Sequence, residues 1–325
     1  MENLYAVQLS EDDDPLDIRY DNIFKAVFTR ETPASRGALS SLISALIEET
    51  VTVETVIANE PPADTTSEKR IRFDIACKST TGELFNIEMS FFPDAHELER
   101  MEYFLAKLFV GQNLHGIDKD YGDIKKAYLI AVLHEMRFFD NSDLVNQCYL
   151  NNPKYGQPLG GNMRAVTLEL CKASQLLGKQ LSELGEQEAW ALFFEYLTDP
   201  EKRGTINEIL KEKAGIAMAS EELMRISRDE AERMRLLSEE KYLLDNQSLR
   251  ATGRKEGRAE GRKESEAVIA QKDIEIAEKN SEIAQKNAEI ARIQKDTARA
   301  LKSAGVSLDI ISQNTRLTLE EIAEL

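Results

Sequence analysis

Two acids set in apolar, strand-like runs have the clearest chemical potential in the chain. Residues 69–75 read Lys-Arg-Ile-Arg-Phe-Asp74-Ile, and residues 85–90 read Phe-Asn-Ile-Glu88-Met-Ser90. Side chains alternate along a strand, so Phe73 and Ile75 take one face and Asp74 the other, while Glu88 and Ser90 share a face. Thr80-Thr81-Gly82-Glu83 between the runs reads as a hairpin loop. Pairing across it brings Asp74 and Glu88 together. Two carboxylates in a partly apolar setting are costly unless a cation neutralises them. Oxygen-only ligation suits Mg2+ or Mn2+, and such an ion can activate water against a phosphodiester. The same pattern also describes two solvated acids on an exposed strand face, and spacing alone leaves both readings open.

A helical run over residues 95–115 follows, with Leu98, Met101, Leu105, Leu108 and Phe109 as its apolar positions and Gly116 as its stop. Arg100, Tyr103 and Lys107 fall at i, i+3 and i+7 and share one face. That face is either solvated or a source of cations for a phosphate. His96, His115 and His134 lack ligand spacing. Cys77, Cys148 and Cys171 are too few and scattered for a disulfide framework or a zinc knuckle. Cys77 reads as core, as do Trp190, Phe193, Phe194 and Leu197 at helical spacing.

The elements that must position these groups can be read from periodicity. Residues 1–17 form a flexible acidic lead-in. Ile23, Val27 and Phe24, Phe28 give a helix an apolar stripe, and a second helix runs over 34–49. Residues 50–59 alternate as a strand, and Pro61, Pro62, Asp64 and Ser67 make a loop. Ala127–Leu133 is a continuous apolar run, hence a buried strand, and 165–171 alternates as another. Residues 138–149 are ambiguous. From about Glu186 the pattern is helical, broken near Asp199-Pro200.

The 325 residues suggest about two domains. The chain is 42% hydrophobic and 30% charged, which supports a packed core. No run approaches a membrane span, and the acidic start (Glu11, Asp12, Asp13, Asp14) lacks a secretory leader's pattern. The expectation is a cytoplasmic protein without a membrane partner. The net charge of −17 argues against a generic electrostatic nucleic-acid binder. Residues 251–325 hold 13 bases and 14 acids, so the acid surplus belongs to residues 1–250.

The tail is repetitive. Residues 253–264 read GRKE-GRAE-GRKE, and glycine in a helix costs about 1 kcal/mol relative to alanine. This reads as a linker over 246–266. Heptads follow, with Ile269, Ile276, Ile283 and Ile290 at d and Asp273, Asn280, Asn287 and Gln294 at a. Residues 267–300 are either a parallel coiled coil, making the protein a homo-oligomer, or a single solvated helix. Residues 301–325 read as a small helical tail. Gly305 ends one helix, Ser307 can cap the next, and Thr318 with Glu321 forms a capping box.

Four segments in order, RYDNIFKAVF (19–28), KRIRFDIACKSTTGELFNIEMS (69–90), ERMEYFLAKLFVGQNLHGIDKDY (99–121) and VTLELCK (166–172), resemble the Rpn family of recombination-promoting nucleases and transposases. This is a bacterial branch of the PD-(D/E)XK nuclease superfamily. The resemblance covers roughly residues 18–175, and the 305–325 ending is similar to that family's variable tails. It implies an α/β restriction-endonuclease-like core, a mixed sheet flanked by helices, over residues 18–245 together with the helical part. It also implies Mg2+- or Mn2+-dependent cleavage of DNA. Asp74 matches the first-strand metal aspartate and Glu88 the second-strand acid. Arg100, Tyr103 and Lys107 match a recurring pattern, and Asp21 and Lys25 match the family's Asp…Phe-Lys opening. Asp21 would be either a third metal acid or a helix cap. Ser90 stands where the family usually carries Gln and the wider superfamily Lys. Serine has no amide or ammonium to orient water or stabilise charge. A non-catalytic, oligomeric module binding DNA or a protein is therefore the alternative function.

Overall fold

The computed structural model describes residues 8–57, 73–91, 96–112, 114 and 120–325. The expected loop around Pro61–Ser67, the start of the first acid-bearing run and the stop at Gly116 lie outside the described residues. The chain divides into two units, residues 1–243 and 244–325.

The first unit is built on a six-stranded mixed sheet. Its strands are β1 (Val53–Ile57), β2 (Ile75–Ser79), β3 (Leu84–Ser90), β4 (Ala127–Leu133), β5 (Val145–Tyr149) and β6 (Met163–Glu169), in the order β1-β2-β3-β4-β6-β5. The pairs β3–β4 and β4–β6 are parallel, and the other three are antiparallel. The helices are α1 (Asp21–Phe28), α2 (Pro33–Ile47), α3 (Glu97–Val110), α4 (Glu186–Tyr196), α5 (Arg203–Glu212) and α6 (Ala214–Arg228). This is the mixed α/β architecture the sequence implies.

Period-two alternation decides which face each strand residue takes. Ile75, Cys77, Phe85, Ile87 and Met89 join Ile130, Val132 and Val166 in a large core with α1, α2 and α4–α6. Ala76, Leu129, Ala131 and Leu133 face the other way and pack with Met101, Leu105 and Leu108 of α3. Both faces of β4 are therefore covered, which is why its whole run is apolar and buried. Trp190, Phe193, Phe194 and Leu197 are buried, and the Trp190 and Phe194 rings stack at 5.4 Å.

Two glycines are fixed by geometry. Gly82 turns the β2–β3 hairpin at φ +93°, a left-handed conformation that side chains disfavour. Gly215 lets α6 approach α2: a Cβ there would lie 2.0 Å from Ser41 Oγ.

The ambiguous stretch 138–149 contains β5, a short strand at the sheet edge. The last strand begins two residues earlier than its alternation suggests. Met163 pairs with Ala127, and Leu170–Leu176 turn into 3-10 helix.

In the tail, α7 runs from Glu230 to Ser303. The glycine repeat lies inside it rather than interrupting it, because its Arg, Lys, Glu and Ala neighbours are strong helix formers. Ile269, Ile276, Ile283 and Ile290 are each more than half exposed. Gly305, at φ +81°, follows the end of this helix. Then α8 (Leu308–Thr315) and α9 (Leu319–Ala323) fold back, burying Ile311, Leu317 and Ile322 with Ala298. Ser307 precedes α8 without a side-chain cap bond, whereas Thr318 and Glu321 form the reciprocal capping box.

Candidate active site

The carboxyl ends of parallel strands are where α/β sheets gather functional groups. Here β3 ends at Ser90, and β2, running the opposite way, begins beside it. The β2–β3 register pairs Ile75 with Ile87, and Asp74, immediately before β2, lies beside Glu88. The two acids are tied reciprocally. Asp74 N–H donates to Glu88 Oε1 at 3.1 Å, and Met89 N–H donates to Asp74 Oδ2 at 3.1 Å. Asn86 Nδ2 donates to Glu88 Oε1 at 2.8 Å from the same strand face.

This pair is under electrostatic tension. Burial, then the charges of Glu88 and Asp21, raise the Asp74 carboxyl well above the usual carboxylate range, against the pull of Lys25. Burial likewise raises Glu88, although the hydrogen bonds from Asp74 and Asn86 and the charges of Arg100 and Lys25 resist it. Glu88 is almost fully buried.

Two cations answer the acids. Lys25, from α1, places its Nζ 2.9 Å from Asp74 Oδ1 and 2.8 Å from Asp21 Oδ1. Burial disfavours its charge, but Asp74 and Asp21 more than offset this, and its ammonium is held charged. Arg100 lies in the first turn of α3 and pairs with buried Glu97. Burial opposes its charge too, and Glu97, Glu88 and Asp74 outweigh it.

The structure thus brings Asp74, Glu88 and Arg100 together, with Ser90 closing the same strand face and buried beside them. The Ser90 carbonyl accepts from His134 N–H at 3.0 Å. Lys107 sits two turns further along α3, about 10 Å from Arg100 along the helix axis, and is half-buried. Tyr103 is exposed. Asp21 reaches the pair through the Lys25 ammonium.

Among the described residues, no three His, Cys, Asp or Glu side chains converge closely enough to hold an ion. Two carboxylates do converge. Their all-oxygen donor set and the mutual repulsion of two buried carboxylates fit a hard divalent cation.

A family model described as PD-(D/E)XK nuclease family transposase matches residues 18–253, more than two thirds of the chain. The chain belongs to this family. The matched span covers the whole sheet and includes Asp74, Glu88, Lys25 and Arg100. No curated protein and no solved structure matches the chain.

The roles of Glu97 and Asn86 were not legible in the sequence, and Lys25 was singled out there without its partner Asp74. Glu97 looks like an ordinary first-turn acid, yet it is buried against Arg100. Lys25 is 49 positions from its partner Asp74, although its i, i+4 spacing from Asp21 was a local signal. Asn86, two residues before Glu88, shares its face by the same period that placed Ser90.

Proposed function

We propose that this transposase-family protein is a Mg2+- or Mn2+-dependent DNA endonuclease that hydrolyses phosphodiester bonds. The observation that carries this reading is the buried Asp74–Glu88 pair at the strand ends, flanked by Lys25 and Arg100. A bound divalent ion would supply Lewis-acid charge and a more acidic water. Asp74 and Glu88 would hold it through carboxylate oxygens. Their hydrogen bonds to Asp74 N–H, Met89 N–H and Asn86 Nδ2 fix both head groups before any ligand arrives. Arg100, anchored by Glu97, supplies fixed positive charge beside the acids, where a low-dielectric setting strengthens its action on a phosphate. The acid surplus of the body predicts weak, salt-sensitive affinity for DNA.

The short Ser90 side chain favours a second reading, a catalytically weakened relative that binds DNA or a protein. We also assign the protein to the cytoplasm and to a homo-oligomer paired through residues 267–300, which follow the glycine repeat within α7 and precede the helical tail at 301–325. The exposed isoleucine column supports that pairing.

The test is cleavage of plasmid and linear DNA by the full chain with Mg2+ or Mn2+, beside Asp74→Ala and Glu88→Ala. Either substitution should lower the rate at least about a hundredfold. Cleavage that survives both rules out this site. Binding of DNA without cleavage by the unaltered chain supports the second reading.

A further inference from the structure

Lys25 makes a different kind of contact from the other charged groups at the site. Asp74 has its Oδ2 engaged by the Met89 N–H and its Oδ1 engaged by Lys25 Nζ at 2.9 Å. A divalent ion approaching Oδ1 therefore meets an ammonium already there. Two cations on one carboxylate oxygen repel strongly in a site that is mostly buried. Arg100, by contrast, is anchored on buried Glu97. Lys25 does have a second seat. Asp21, one helical turn earlier, lies 2.8 Å from the same nitrogen, and its side chain is the more exposed of the two partners. An ammonium can give up Asp74 and stay paired with Asp21 by a small rotation of its flexible stem.

We propose that Lys25 is the resident cation of the acid pair: it holds Asp74 when no divalent ion is bound and competes with that ion for the Asp74 carboxylate, with Asp21 as its alternative seat. This rests on the reading of Asp74 and Glu88 as metal-holding acids. It makes Asp21 a positioning residue for Lys25 rather than a third metal ligand. It also supplies, from α1, the mobile positive charge that Ser90 cannot provide from β3.

The test uses the full chain, with Mn2+ binding followed by calorimetry and thermal melting followed in EDTA and in Mn2+. Removing the competitor in Lys25→Met should tighten Mn2+ binding by about tenfold or more. The same variant should melt lower than the unaltered chain in EDTA and gain more from added Mn2+. Lys25→Arg, which keeps the charge, should retain the EDTA melting temperature. Asp21→Asn removes the alternative seat and should weaken Mn2+ binding. Equal affinity in Lys25→Met and the unaltered chain, with binding abolished by Asp74→Asn, overturns the role of Lys25 and leaves the metal site standing. Unchanged affinity in Asp21→Asn overturns the alternative seat. Mn2+ binding that is absent, or indifferent to Asp74→Asn, overturns both readings.

Discussion

Glu88 offers a test in which charge and hydrogen bonding can be separated. Glu88→Gln keeps the length of the side chain and an oxygen able to accept from Asp74 N–H and Asn86 Nδ2. It removes a carboxylate whose ionisation burial disfavours. Relieving one buried charge whose burial outweighs its partners should stabilise the metal-free protein by on the order of 1 kcal/mol. For a body of this size that raises the melting temperature by about 2–4 °C. Glu88→Ala removes the acceptor as well and leaves two donors without a partner, at about 1–3 kcal/mol each. It should therefore lower stability by about 2–6 kcal/mol. The sign with pH follows from the raised carboxyl. Below its ordinary value of 4.5 the group is protonated in both folded and unfolded chains, and the glutamine has no advantage. As pH rises from there, the unfolded chain ionises first, so the wild-type chain loses stability until the folded carboxyl ionises too. The advantage of Glu88→Gln should grow over that interval and then level off. Thermal melts in EDTA from pH 4 to pH 9 measure this directly. A Glu88→Gln protein less stable than wild type at pH 8 would refute the claim that the acid pair is under tension.

Other expectations concern the rest of the molecule. Deleting residues 265–300, or introducing Ile276→Asp with Ile283→Asp, should lower the mass measured by light scattering; an unchanged mass removes the self-pairing proposal. Gly215→Ala should destabilise the body by about 1–3 kcal/mol, because Ser41 must move, and unchanged denaturant unfolding would show that the α2–α6 contact is loose. Lys172→Met leaves buried Glu169 without the cation 3.1 Å away and should cost about 3–5 kcal/mol in the same assay. Cys77, whose thiol burial pushes up to about 12, should resist thiol reagents at pH 8 while exposed Cys148 and Cys171 react; rapid labelling of all three in the native state would contradict the packing.

What could be read from residues alone follows from the range of each interaction. The short hairpin loop brought Asp74 within reach of Glu88 as read, but the alternation fails at Phe73, which packs with Ala76 against α3 while Ile75 faces the other core, because β2 begins only at Ile75. The apolar run of β4 declared its burial because strand geometry is local. β5 was harder, since Val145–Tyr149 carries Asn, Gln and Cys on a half-exposed edge and so lacks a face to mark. The start of β6 is set by its partner β4 and not by its own alternation. Glu97 owes its importance to a tertiary neighbour and no local pattern distinguishes it from a solvated charge, whereas Lys25 was marked by its spacing from Asp21 but not as the partner of Asp74. The glycine repeat shows the opposite error, in which a correct local penalty was outweighed by the helix on either side.

That repeat also has a mechanical consequence. Gly253, Gly257 and Gly261 recur one turn apart, and nothing lies within 4 Å of where their side chains would be. Three successive turns of α7 thus carry a bare strip of backbone open to water, with each glycine weakening its turn by about 1 kcal/mol. Amide hydrogens there should exchange faster than those of the heptads that follow, and a protease should nick there first. The helix has in effect a fuse along its length, the three turns at which it is expected to open first.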